Sequence, residues 1–212
     1  MGRFFIMEKV FLMHPPNIGW LQAELSSEEI EHLWKCVERK KDNLSNTLAG
    51  NIDSSYVLED DQGFFFTNTL SPLIRHYLEV HGKPPVSLVT KDRHGYRLES
   101  FWVNYQKQTE FNPAHTHEGV WSFVVWMKIP THHTEQTSLP FSANSNHPVA
   151  SAFQFLYSDT LGNIKSHIIE MNPDMEGQIV FFPSRLTHQV YPFYNCEDDR
   201  ITISGNIGIS FY

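Results

Sequence analysis

The residues best placed to do chemistry lie in Asn112-Pro113-Ala114-His115-Thr116-His117-Glu118-Gly119. The apolar run Val120-Trp121-Ser122-Phe123-Val124-Val125-Trp126 follows directly. On a strand, residues i and i+2 point to one face, so His115 and His117 can grip one metal ion. A third ligand must come from elsewhere, and His188 is the best candidate. It follows Gly177-Gln178-Ile179-Val180-Phe181-Phe182-Pro183 in the order strand, proline turn, histidine. Three facial protein ligands leave room on an octahedral iron for a chelating molecule and dioxygen. Further on, Arg200, Thr202, Ser204 and Asn206 share one face of a strand, against Ile201, Ile203 and Ile207. That polar face is either the solvent side of an edge strand or the wall of a site. An inward Arg200 beside a metal would suit a carboxylate, which guanidinium binds bidentately, and Thr202 could add a hydroxyl.

The elements that must carry these residues are readable in outline. Ser26 with Glu29 forms a capping box, and Ile30, Leu33, Trp34 and Val37 give the helix that follows one apolar face for the core. A second helix is expected from Ser71-Pro72, with Ser71 as its cap, ending at Gly82. A first strand is expected within residues 1–20. Residues 42–69 carry no clear period. From about residue 86 short β-prone runs alternate with turn signals. They are Val86–Thr90, Arg97–Gln106, Trp121–Ile129, Ala152–Tyr157, Ile164–Met171, Gln178–Phe182, Thr187–Tyr191 and Arg200–Phe211. Strands at this spacing predict a sandwich or barrel, best a jelly roll. The expected architecture is α+β: one domain over residues 1–212, a helical part over 1–85 packed on one side of a jelly-roll core over 86–212. Thr131–His147 is long and polar, either a lid or a solvated insertion.

Composition narrows the function classes. A formal net charge of −8 argues against sequence-independent nucleic-acid binding. No apolar run is long enough to span a bilayer, and the first residues lack the pattern of a secretory signal. Cys36 and Cys196 stand apart, which fits a reducing compartment, the cytoplasm, and no disulfide framework.

Taken together, His115-x-His117, the Phe-Pro-Ser-x-x-x-His188 run and Arg200-x-Thr202-x-Ser204-x-Asn206 resemble the 2-oxoglutarate- and Fe(II)-dependent oxygenases. The likeness is closest to a His-x-His, partly phage-encoded branch near the prolyl 4-hydroxylase-like enzymes, and it covers about residues 95–212. The resemblance implies a double-stranded β-helix, with iron on His115, His117 and His188. It implies Arg200 and Thr202 at the distal carboxylate of 2-oxoglutarate, joined by Tyr105, with Asn104 and Asn206 as further pocket residues. It implies a dioxygenase that decarboxylates 2-oxoglutarate to succinate while hydroxylating a C–H bond of a protein, a peptide or a small molecule. A phage-encoded member would act in the host cytoplasm. The larger family carries a carboxylate where His117 stands, and a local bulge could bring Glu118 in as that ligand. Two alternatives stay open: a cupin-type metalloenzyme that does not use 2-oxoglutarate, and a non-catalytic jelly roll that binds a ligand or another chain.

Overall fold

The computed structural model describes residues 17, 19–85 and 94–211. The expected strand Val86–Thr90 and most of the region expected to hold the first strand lie outside them. In chain order the elements are β1 Leu21–Glu24, α1 Ser27–Glu38, β2 Ser54–Val57, α2 Ser71–His81, β3 His94–Gln106, β4 Asn112–His115, β5 Trp121–Lys128 and α3 His133–Thr137. Then come β6 Phe153–Ser158, β7 Ile164–Ile169, β8 Gln178–Pro183, β9 Thr187–Val190 and β10 Arg200–Phe211. They form two antiparallel sheets, a six-stranded one in the order β1-β8-β5-β10-β3-β2 and a four-stranded one in the order β4-β9-β6-β7. These are the two layers of a double-stranded β-helix.

Side-chain parity explains why the large sheet is apolar on one face and mixed on the other. Phe101, Val103, Phe123, Val125, Ile179, Phe181 and Ile203 pack in one cluster with Leu33, Cys36 and Val37 of α1 and Ile74 and Tyr77 of α2. Their strand neighbours Trp126, Val180 and Phe182 face the other way, against Phe153, Phe155 and Ile169 of the small sheet. Because the period is two, each central strand feeds both cores, and its sequence reads as a nearly unbroken apolar run.

Helix α1 begins as its capping box dictates: the Glu29 amide donates to Ser26 Oγ at 3.3 Å, and the Ser26 amide donates to Glu29 Oε2 at 2.7 Å. The start of α2 departs from expectation. Ser71 is not a cap, because Leu70 is already helical and the chain enters α2 from a π-helical turn over Phe66–Leu70. Burial of Thr69 and Leu70 holds that turn in place, and Gly82 closes the helix in the left-handed region at φ 72°.

Candidate metal and cosubstrate site

The two outer histidines are set by strand pairing. β4 and β9 are antiparallel with His115 opposite His188, so their rings meet at 4.3 Å between centroids. His117 lies just beyond β4, where its amide donates to the Ser184 carbonyl at 2.8 Å. Ser184 Oγ in turn donates to the Gly119 carbonyl at 2.7 Å, tying the turn to the end of β8. Gly119 has φ +90°, and a Cβ there would lie 2.8 Å from the Ile207 carbonyl oxygen, so only glycine lets the chain turn here. His117 thereby sits 4.9 Å from the His115 ring and 5.0 Å from the His188 ring.

The three histidines each offer a nitrogen, and these atoms lie within 4.8 Å of one another. Tautomers are set by neighbouring carbonyls: His115 Nδ1 is 2.7 Å from the Pro113 oxygen and His188 Nδ1 is 2.9 Å from the Leu186 oxygen. A proton on each Nδ1 leaves each Nε2 with its lone pair for a metal. Burial, followed by the neighbouring His115, pushes His117 down to about 4 and His188 down to about 3. Both are therefore neutral at pH 7, the form that ligates. Glu118 is exposed, and no carboxylate joins this group among the described residues.

A cavity opens beside the histidines, between the two sheets. Asn104, Gln106, Thr202 and Ser204 form its polar wall, and Val124, Trp126, Phe153 and Val190 an apolar one. Leu48, Ala49, Gly50 and Ile52 roof it. This roof comes from the aperiodic 42–69 segment and is anchored where the Asn51 amide donates to the Phe111 carbonyl at 2.8 Å. Residues 131–147 do not line the cavity.

Arg200 is completely buried at the Gln106 end of this wall. Its Nη1 is 3.4 Å from Gln106 Oε1, and its Nη2 donates to Ser151 Oγ at 2.6 Å and to the Ser151 carbonyl at 3.1 Å. The Phe193 ring lies 4.9 Å from the guanidinium carbon. Burial lowers the Arg200 pKa to about 9, so the charge persists at neutral pH. No ion pair among the described residues uses it, and its Nε has no partner. The Trp126 Nε1, on the strand beside Thr202, is likewise unpartnered. A buried cation costs several kcal/mol when uncompensated, so this site has donors in excess and wants an anion. Three imidazoles and a guanidinium without an ion-pair partner fit Fe(II) and a dicarboxylate such as 2-oxoglutarate.

Of the residues singled out by sequence, the fold gathers His115, His117, His188, Asn104 and Thr202 around one cavity, with Arg200 reached through Gln106. Tyr105 is not in this group. It sits one residue out of phase with Asn104 and Gln106, on the outer face, where its ring meets Tyr56 at 6.0 Å and Lys40 Nζ at 5.6 Å. Asn206 is on the inner face but outside the cavity, bonded to Ser122 and Ser100. Gln106, Ser151 and Phe193 escaped the sequence reading, because each acts through a contact remote along the chain; Ser184 enters it only as part of the run leading to His188. Gln106 alone left a signal, since it shares the parity of Asn104.

Comparison with known proteins agrees with this geometry. A family model described as "Putative 2OG-Fe(II) oxygenase" matches residues 100–206, half of the chain. A search among curated proteins found no match. Among solved structures, the chain is similar to the non-heme alpha-ketoglutarate-dependent carbocyclase SnoK from nogalamycin biosynthesis (TM-score 0.52, 10% identity, 90% of this chain and 79% of that one covered). It is also similar to HygX from Streptomyces hygroscopicus, solved with nickel, 2-oxoglutarate and hygromycin B (TM-score 0.51, 11% identity, 90% and 83% covered). A third is a 2OG-Fe(II) oxygenase-family oxidoreductase from Burkholderia pseudomallei (TM-score 0.51, 10% identity, 86% and 78% covered). At such identities the structures establish the fold, and the family match carries the rest: the chain belongs to the 2-oxoglutarate- and Fe(II)-dependent oxygenases.

Proposed function

We propose that His115, His117 and His188 hold the iron of this oxygenase and that Arg200 and Thr202 receive the distal carboxylate of 2-oxoglutarate. The observation that carries the assignment is the nearness of two features. Three ligand nitrogens converge within 4.8 Å beside the cavity, and a fully buried guanidinium without a carboxylate lies directly behind Gln106 of that cavity's polar wall. Either alone has structural explanations; together they match the two ends of one cosubstrate. Iron with 2-oxoglutarate, when bound, supplies oxygen activation coupled to decarboxylation. The chain's own part is to bind, orient and exclude water. His117 and His188 stay neutral, and His115 and His188 are preoriented by their carbonyl contacts. Asn104 donates to Thr202 Oγ1 at 3.4 Å, steadying that hydroxyl on the cavity wall. The roof over Leu48–Ile52 and the walls at Trp126 and Phe153 keep bulk water from the reacting centre.

The exposed Glu118 supports an all-histidine ligand set, and with it a place in the His-x-His branch. The reaction proposed is hydroxylation of a C–H bond in a protein or peptide side chain or a small molecule. The charge of −8 favours substrates other than nucleic acid. Two free cysteines favour the cytoplasm, and no helix among the described residues is long and apolar enough to cross a membrane. The apolar cluster shared by α1, α2 and the large sheet supports one domain over residues 1–212.

Anaerobic titration tests the assignment. Fe(II) followed by 2-oxoglutarate is expected to give the weak visible charge-transfer band of the chelate. His188→Ala is expected to lose the band and succinate formation, and Arg200→Ala to raise the 2-oxoglutarate requirement. Normal turnover in both variants would remove the assignment.

A further inference from the structure

The geometry points to a task for the 131–151 excursion: it is a clamp that fixes the Arg200 guanidinium for the cosubstrate, with Ser151 as a positioning residue. This rests on the assignment of Arg200 to the distal carboxylate.

The excursion leaves the large sheet after β5 and returns at β6, and its two ends meet at a buried pair, Thr131 Oγ1 and Ser151 Oγ, 3.3 Å apart. Ser151 is fully buried and gives Arg200 Nη2 two acceptors, its hydroxyl and its carbonyl. To present both to one nitrogen it holds φ +68°, a region that L-residues other than glycine seldom occupy. Strain of this kind persists only where surrounding contacts over-determine it. Here they do: the Ser151 amide donates to the Pro192 carbonyl at 2.9 Å. The same excursion grips the other side of the guanidinium. The Gln136 side chain donates to the Tyr194 carbonyl at 2.9 Å and accepts from the Tyr194 amide at 2.8 Å, and Phe141 packs on the Tyr194 ring at 4.5 Å. That holds the chain beside Phe193, whose ring faces the guanidinium. With Nη2 taken by Ser151 and one face by Phe193, the remaining donors of Arg200 have a fixed direction. A rotamer-rich cation would otherwise lose entropy on each binding event.

The test is calorimetric titration of the Mn(II)-loaded chain with 2-oxoglutarate and, separately, with oxalate. Oxalate chelates the metal but has no distal carboxylate to reach Arg200. Ser151→Ala is expected to weaken 2-oxoglutarate about tenfold, the scale of one charge-assisted hydrogen bond. Oxalate affinity should change less than twofold. Ser151→Gly, which relieves the backbone while removing the hydroxyl, should lose 2-oxoglutarate affinity equally without losing stability. Ser151→Ala combined with Arg200→Gln should bind 2-oxoglutarate no more weakly than Arg200→Gln alone. Equal losses for both ligands, or additive losses in the double variant, would overturn the clamp, as would Ser151 variants that bind normally while Arg200→Gln does not. If Arg200→Gln itself binds 2-oxoglutarate normally, the anchor assignment fails and the clamp falls with it.

Discussion

His117 is the residue on which the ligand set turns. Its place in the cluster follows from one hydrogen bond to Ser184 and one permissive glycine, Gly119, which carry the chain round without letting Glu118 turn inward. Glu118→Ala is therefore expected to leave iron affinity within about twofold of the parent, as surface changes away from a site usually do. His117→Ala should lose most of it. Metal titration by competition with a chelator separates the two; a large loss in Glu118→Ala would restore the carboxylate as the ligand. The histidine pair was legible from its spacing, but the strand rule explains only His115: His117 falls in the turn beyond β4 and is held there by its bond to Ser184. Strand parity places the Tyr105 ring on the outer face, out of phase with Asn104 and against Tyr56. The groups that hold Arg200 were not legible. Ser151 and Gln106 reach it across separations of 49 and 94 residues; the parity of Gln106 with Asn104 marks its face but not the contact, and nothing local marks Ser151.

At the scale of elements, legibility followed the range of the interactions that make each one. Helix α1 announces itself because its cap is a local device of Ser26 and Glu29. The long strands announce themselves because both their faces are buried. β2 and β4 have four residues each and take their form from neighbours, β2 from β3 and β4 from β9, so no period marks them. The roof at Leu48–Ile52 is likewise fixed by what it touches. The local cap also yields a pH-dependent prediction. Burial raises the Glu29 pKa, but hydrogen bonds from the Ser26 hydroxyl, the Thr69 hydroxyl and the Ser26 amide outweigh it and leave the carboxyl below its ordinary value. A group whose folded pKa is depressed contributes stability that is present above the unfolded pKa and lost as pH falls through the folded one. Ser26→Ala should therefore cost about 1 kcal/mol near pH 7. The penalty should shrink as Glu29 protonates in acid. Urea unfolding at pH 7 and pH 3.5 measures both values, and a penalty that grows in acid would show that the box is not its source.

For the molecule as a whole, the site lies where two sheets meet. His115 and His188 belong to the small sheet, whereas Arg200, Thr202 and Asn104 belong to the large one. A metal bound by the histidines engages the small sheet and the turn after β4. A cosubstrate that chelates the metal and reaches Arg200 would tie the two layers together, so the two ligands should stabilise the fold in distinguishable steps. Any ligand that binds only the folded chain at a hundred times its dissociation constant adds about 2.7 kcal/mol. In a chain of this size that corresponds to roughly 5–10 °C in the unfolding midpoint. Mn(II) alone is expected to give the first increment, and 2-oxoglutarate added to the Mn(II) form the second. In the absence of metal 2-oxoglutarate should give little, because only its distal carboxylate then has a partner. His188→Ala should abolish both increments. Arg200→Gln at the same ligand concentrations should keep the metal step and lose most of the cosubstrate step. If it lost the metal step instead, Arg200 would be supporting the histidines and the dicarboxylate would have to be anchored elsewhere in the cavity.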